Sequence, residues 1–274
     1  LAAIDATCTL GFHSAVRGVA SSGWKGRSFS LGIADSVTVL ASNAAAADVA
    51  ATLIANAIDL PGHGDSSKEL DLGYRFEDQV RHLSRILDAL GVQRAHMMGN
   101  SMGGAITALY AATYPDQILT ATLFDPAGIF EYDSELVSLV MGGDNPLIPS
   151  QEGDFERLVD FALEKKPFVP WPIYDVMEEK AIANRDVNEV IFDAIRDTGY
   201  EDDFRNAITR IQAPVLVVWG KLDRVIDYRN ADVFVEAIPD ARKAILDDIG
   251  HAPMVEAPEQ SAELFREFLA ESQP

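Results

Sequence analysis

Val92-Gln93-Arg94-Ala95-His96-Met97-Met98-Gly99-Asn100-Ser101-Met102-Gly103-Gly104 is the stretch on which the fold turns. Val92 to Met98 predicts a strand. Met102 to Thr113 predicts a helix apolar on nearly every face, hence buried against a sheet. Between them, Gly99 to Gly103 satisfies G-x-S-x-G, a pattern that belongs on a strained strand-to-helix turn. Such a turn projects the Ser101 hydroxyl upward, and glycines two residues to either side avoid Cβ clashes. The helix N-terminus and the Met102 N–H then face any negative charge that develops on a bound oxygen. Ser101 is therefore the candidate nucleophile and Met102 a candidate oxyanion donor.

A serine hydroxyl needs a base, usually a histidine oriented by a carboxylate. Of five histidines, His82 sits off the apolar face of its helix, His96 lies inside a strand, and His63 is enclosed in a Pro-Gly-x-Gly turn. His13 falls in a stretch with no legible pattern. His251, in Ile249-Gly250-His251-Ala252-Pro253, follows a strand on a loop, where catalytic groups concentrate; it is the expected base. For the orienting acid, Asp223 follows the strand ending at Trp219 and stands 28 residues before His251, room for one helix and one strand between neighbouring sheet ends. Asp125 and Asp227 are the alternatives, while Asp247 and Asp248 are too close to His251 to reach back across the loop.

Outward from the serine, short apolar runs alternate with helical ones. Strands are expected at Leu53–Ile58, Leu119–Phe124, Pro214–Trp219 and Lys243–Leu246. Helices are expected from Phe76 to Leu90, Asn230 to Ile238 and Pro258 to Ala270. That rhythm gives an α/β class with a mostly parallel sheet covered on both faces. It stops between Asp125 and Pro214, which holds six of the 13 prolines and several helical runs. Residues 131–207 are read as a helical cap over the sheet's C-terminal edge, where open α/β sheets bind ligands. The core is expected over 1–130 and 208–274. Before residue 50 only an alanine-rich, helix-prone patch is legible.

The chain has 274 residues, enough for one core buried on several sides. Its net charge of −21 repels phosphate backbones, so nucleic acid is not an expected partner. One cysteine, Cys8, excludes an intrachain disulfide and a Cys-rich zinc site. HEXXH, P-loop and dinucleotide glycine motifs are absent, so no metal and no cofactor is expected. No apolar run reaches 18 residues, hence no transmembrane segment is expected. No targeting segment is legible in a chain that opens on Leu1, and neither compartment nor oligomeric state follows from the residues.

Four stretches together resemble the α/β-hydrolase fold with a helical cap: Asp59-Leu60-Pro61-Gly62-His63-Gly64-Asp65-Ser66, the serine turn, Trp219-Gly220-Lys221-Leu222-Asp223, and Gly250-His251-Ala252-Pro253 followed by Glu256-Ala257-Pro258. The order Ser, Asp, His is that of this fold. The turn around Ser101, Asp125-Pro126-Ala127-Gly128 and Asn145-Pro146-Leu147-Ile148-Pro149-Ser150 are similar to bacterial lipases and monoacylglycerol lipases. The resemblance implies hydrolysis of a small-molecule carboxylic ester or acylglycerol through an acyl-enzyme, without cofactor. C–C bond hydrolysis, cofactor-free perhydrolysis, and a hydrophobic-ligand module with little turnover are the rivals. Such proteins carry a His-Gly pair 26 to 30 residues before the Asp-x-Pro-Gly-His-Gly turn; Leu31-Gly32-Ile33 stands there instead. Ile33 or a neighbour is the expected second oxyanion donor. Asn100, Phe161 and Trp171 are the expected substrate contacts, with Phe155, Phe168 and Tyr174 as further apolar lining of the cap.

Overall fold

The computed structural model describes residues 18–23, 36–41, 59–64, 66–169, 172–199 and 202–272. The predicted strand at Leu53–Ile58, the alanine patch, Ile33 and Trp171 lie outside the described residues. The chain divides into two units, Leu1–Lys68 and Glu69–Pro274.

In the first unit, β1 (Gly18–Gly23) and β2 (Ser36–Ala41) pair antiparallel, Gly18 opposite Ala41 and Gly23 opposite Ser36. No strand was expected here. β1 (Gly-Val-Ala-Ser-Ser-Gly) has Val19 as its one β-branched residue and no aromatic, too little to mark a strand. β2 does carry the alternation, in Val37, Val39 and the intervening Thr38. Residues 59–64 form the predicted turn, with Gly62 N–H donating to Ser67 O at 2.8 Å and Ser66 Oγ donating to Asp59 O at 2.5 Å.

The second unit is built on a four-stranded sheet. β3 (Ala95–Asn100), β4 (Ile118–Phe124), β5 (Val215–Gly220) and β6 (Ala241–Leu246) run in that order, every pair parallel. The β3 strand ends two residues later than the apolar pattern indicated, because its last pairs, Gly99 with Leu123 and Asn100 with Phe124, extend the ladder to the serine turn. On its way to the sheet, α1 (Phe76–Ala89) buries Phe76 and Val80 but also Gln79 and Ser84. The helix α2 (Met102–Thr113) is buried from Gly104 to Ala112 because it packs on β3 and β4 with α1 and α7 (Asp202–Ile208) beyond it.

β5 shows why the sheet must be covered twice. All six of its residues are buried, and alternate side chains enter different clusters. Leu216 and Val218 join Phe124, Leu246 and Ile249 under Phe268 of α10 (Pro258–Glu271). Trp219 faces the other way, 6.1 Å from Phe234 of α8 (Asn230–Ala237), which continues at 6.2 Å to Phe204 of α7 and at 5.6 Å to Phe76. Fully burying each such side chain contributes about 1.5–3 kcal/mol. Between β4 and β5 run α3 (Glu135–Met141), α4 (Asp154–Ala162), α5 (Ile173–Ala183), α6 (Arg185–Gly199) and α7. One face of α6 buries Val187 and Ile191 with Tyr74, and Met102 packs against that cluster. After β6 the chain passes through the short α9 (Pro253–Glu256) into α10.

Candidate active site

β3 ends at Asn100 and α2 starts at Met102, so Ser101 makes the turn alone, with φ 52° and ψ −117°. A non-glycine residue there stores about 1–3 kcal/mol and persists only when its surroundings over-determine it. They do. Ser101 N–H donates to Phe124 O at 2.9 Å, and Ser101 O accepts from Ala127 N at 2.9 Å and Ala105 N at 3.1 Å. A Cβ at position 99 would run into the Gly103 carbonyl, which is the reason for glycine there. Met102 opens α2, among the helix N–H groups that have no intrahelical acceptor.

Asp223 and His251 are brought together. His251 Nδ1 lies 2.8 Å from Asp223 Oδ2, with the carboxylate fully buried and the imidazole 11% exposed. The carboxylate is held on all sides. Oδ1 accepts Val225 N at 2.8 Å and Ile226 N at 3.0 Å, and Oδ2 also accepts Trp219 Nε1 at 3.1 Å. A Cβ at Gly220 would collide with the Gly250 carbonyl, so glycine lets the end of β5 touch the histidine loop.

Two further residues set that loop. The Asn100 amide donates to Phe124 O at 3.2 Å and to His251 O at 3.0 Å, tying the residue before the serine to the histidine 151 positions away. Glu256, also buried, accepts four backbone N–H groups: Gly250 at 3.0 Å, Ala252 at 3.1 Å, Glu164 at 2.8 Å and Lys165 at 2.9 Å. His251 N–H donates to Ala162 O at 2.9 Å. The chain leaving α4 and the histidine loop are thus one hydrogen-bonded piece. In the sequence Glu256 stands out only as part of the Glu-Ala-Pro motif; a carboxylate five residues after the histidine is the available signal. Asn100 was expected at the substrate, and its side-chain donors are committed to carbonyls instead. Phe161 is buried with the Arg224 guanidinium 5.4 Å from its ring centre.

The competing acids sort by environment. Asp227 is taken by Arg229, whose guanidinium holds the carboxyl below the usual range. Asp125, fully buried after β4, is pushed well above that range, first by burial and then by the charge of Asp223. Among the other histidines, His96 Nδ1 lies 2.8 Å from Thr120 Oγ1 across the sheet, and His63 stays in its turn, where burial lowers its imidazole. Asp125, Asp223 and His251 each bring one potential ligand atom within 4.8 Å of the others. Nδ1 and both Asp223 oxygens are nevertheless engaged with N–H groups or with one another, a donor set suited to holding a proton rather than an ion. Among the described residues, no helix is long and apolar enough to cross a membrane.

Two family profiles match the chain: the alpha/beta hydrolase fold over residues 55–168, and AbpE bacteria over residues 2–106. Lipase 1 of Psychrobacter immobilis is 34% identical over 214 residues, 77% of this chain and 67% of the relative. Monoacylglycerol lipase abhd6-B of Xenopus laevis is 30% identical over 227 residues, covering 79% and 67%. Among solved structures, a membrane phospholipase A described as a novel bacterial virulence factor aligns with a TM-score of 0.74 at 38% identity, over 78% of this chain and 69% of that one.

Proposed function

Because this chain belongs to the α/β-hydrolase family that includes these lipases, we propose that it hydrolyses carboxylic esters of the acylglycerol kind through Ser101, His251 and Asp223. One observation supports the reading above the others: a buried carboxylate, oriented by three N–H groups, at 2.8 Å from the imidazole nitrogen of a loop tied to the serine turn.

Asp223 keeps the proton on Nδ1, so that Nε2 is the free base. His251 takes the hydroxyl proton as Ser101 Oγ attacks the ester carbonyl. The negative charge moves to the carbonyl oxygen, where Met102 N–H receives it. A donor in that role is worth about 3 kcal/mol. His251 then protonates the leaving alcohol. In the second half, it deprotonates water, which attacks the acyl-enzyme and frees the acid and Ser101.

Residues 131–207 act as a cap. Two contacts support this: α6 packs on Met102 beside the nucleophile, and the segment after α4 is bonded to the histidine loop through Glu256. The acyl chain runs along the cap's apolar side chains, so medium or long chains are preferred. Hydrolysis of p-nitrophenyl esters of increasing chain length, and of monoacylglycerol against triacylglycerol, tests this. Ser101→Ala abolishes turnover in every case if the assignment holds. Parental rates in that variant, or a flat chain-length profile, would remove the nucleophile or the cap's role respectively.

A further inference from the structure

Asp125 is chemically out of place as an ordinary carboxylate. It follows β4 with φ 42°; Ser101 is the other described non-glycine residue with positive φ. Its side chain is fully buried. Its N–H donates to Val218 O at 2.9 Å, and Oδ1 accepts Gly220 N at 2.8 Å. Oδ2 meets no donor among the described residues. Its carboxyl neighbour is Asp223, and the pair with His251 fall within 4.8 Å.

Two ionised carboxylates are acceptors only, and side by side in a dry site they repel. One proton between them turns the contact into a strong O–H···O⁻ hydrogen bond and supplies Oδ2 with a partner. The donors decide where that proton sits. Asp223 receives four N–H groups, from Trp219, Val225, Ile226 and His251, and they favour its charged form. Asp125 receives one, from Gly220, against burial and the charges of Asp223 and Glu256. Asp223, Glu256 and His251 are the titratable groups that face it.

We propose that Asp125 is a positioning residue that stands as a neutral carboxylic acid and donates a hydrogen bond to Asp223, fixing that carboxylate behind His251. The role rests on the reading of Ser101, His251 and Asp223 given above. The pair then carries one negative charge in total, shared away from the imidazole.

The test compares the full-length parent with Asp125→Asn and Asp125→Ala. Asparagine reproduces a neutral acid: its oxygen accepts Gly220 N–H and its amide donates to Asp223. Difference infrared spectra at neutral pH should show the carbonyl stretch of a protonated carboxylic acid in the parent, lost in Asp125→Asn. In p-nitrophenyl ester hydrolysis, Asp125→Ala should lose about tenfold in kcat and move the acid limb of the pH profile to higher pH, while Asp125→Asn recovers most of both. A parent without the band, an asparagine variant no better than alanine, or an alanine variant with the parental pH profile would each overturn the proposal. The band is read without turnover. A chain that shows the band but hydrolyses no ester would overturn the enzymatic reading and leave the carboxyl pair standing; activity without the band would overturn the pair alone.

Discussion

Replacing Asp223 by asparagine separates the chemistry from the scaffold. The amide oxygen can take the Oδ1 place and keep Val225 N–H and Ile226 N–H. Its nitrogen then faces Trp219 Nε1–H and His251 Nδ1–H, two donors against a donor. The indole is not stranded, because it also donates to Ile226 O at 3.2 Å. The imidazole can move its proton to Nε2 and accept from the new amide. Folding therefore loses about one net hydrogen bond, about 1 kcal/mol, or about 2–4 °C in Tm for a chain of this size. Catalysis loses far more. With Nε2 protonated, His251 cannot take the Ser101 proton, and a wrong tautomer of this kind costs about 10⁴ in kcat, equivalent to about 5 kcal/mol. The assay is p-nitrophenyl ester hydrolysis beside thermal unfolding on the same preparation. A well-folded Asp223→Asn that turns over within tenfold of the parent would refute the reasoning.

Other outcomes follow from the same contacts. Asn100→Ala removes the ties to Phe124 O and His251 O and frees the histidine loop; kcat should fall about tenfold, about 1.4 kcal/mol, with KM nearly unchanged in steady-state kinetics. Glu256→Gln can keep its oxygen on the Gly250, Glu164 and Lys165 N–H groups and turns its amide towards Ala252 N–H, so stability should fall by about 1–3 kcal/mol, and hydrogen exchange should accelerate at Ala252. Asp125→Asn should change the pH dependence of stability. A carboxyl whose folded pKa lies above its unfolded value binds its proton better when folded. Its stabilisation is complete below the unfolded value and is lost, at about 1.4 kcal/mol per pH unit, as pH rises through the folded value. Thermal unfolding across pH should find the asparagine variant ahead of the parent at neutral pH, with the gap closing towards pH 4.

The sheet was legible because parallel strands buried on both faces leave continuous apolar runs such as Val215–Trp219. Of the glycines two residues to either side of Ser101, only Gly99 answers a steric demand; a Cβ at Gly103 would meet nothing within 4 Å. The pairing of Asp223 with His251 was legible from spacing and loop position, since each follows a strand of the same sheet. Less could be read where partners are distant. Nothing near Asn100 announces a bond to a carbonyl 151 residues away, and an amide beside a nucleophile reads as a substrate contact. In the sequence Asp125 is an alternative acid, yet its proton depends on the crowding of donors around Asp223, which only the fold creates. β1 escaped because small residues carry no strand signature.

The central claim is that Ser101 is made nucleophilic by His251. A fluorophosphonate probe tests it directly. The adduct should map by peptide mass spectrometry to Ser101, and His251→Ala should abolish labelling while leaving the protein folded. Labelling at another residue, or undiminished labelling of Ser101 in folded His251→Ala, would contradict it.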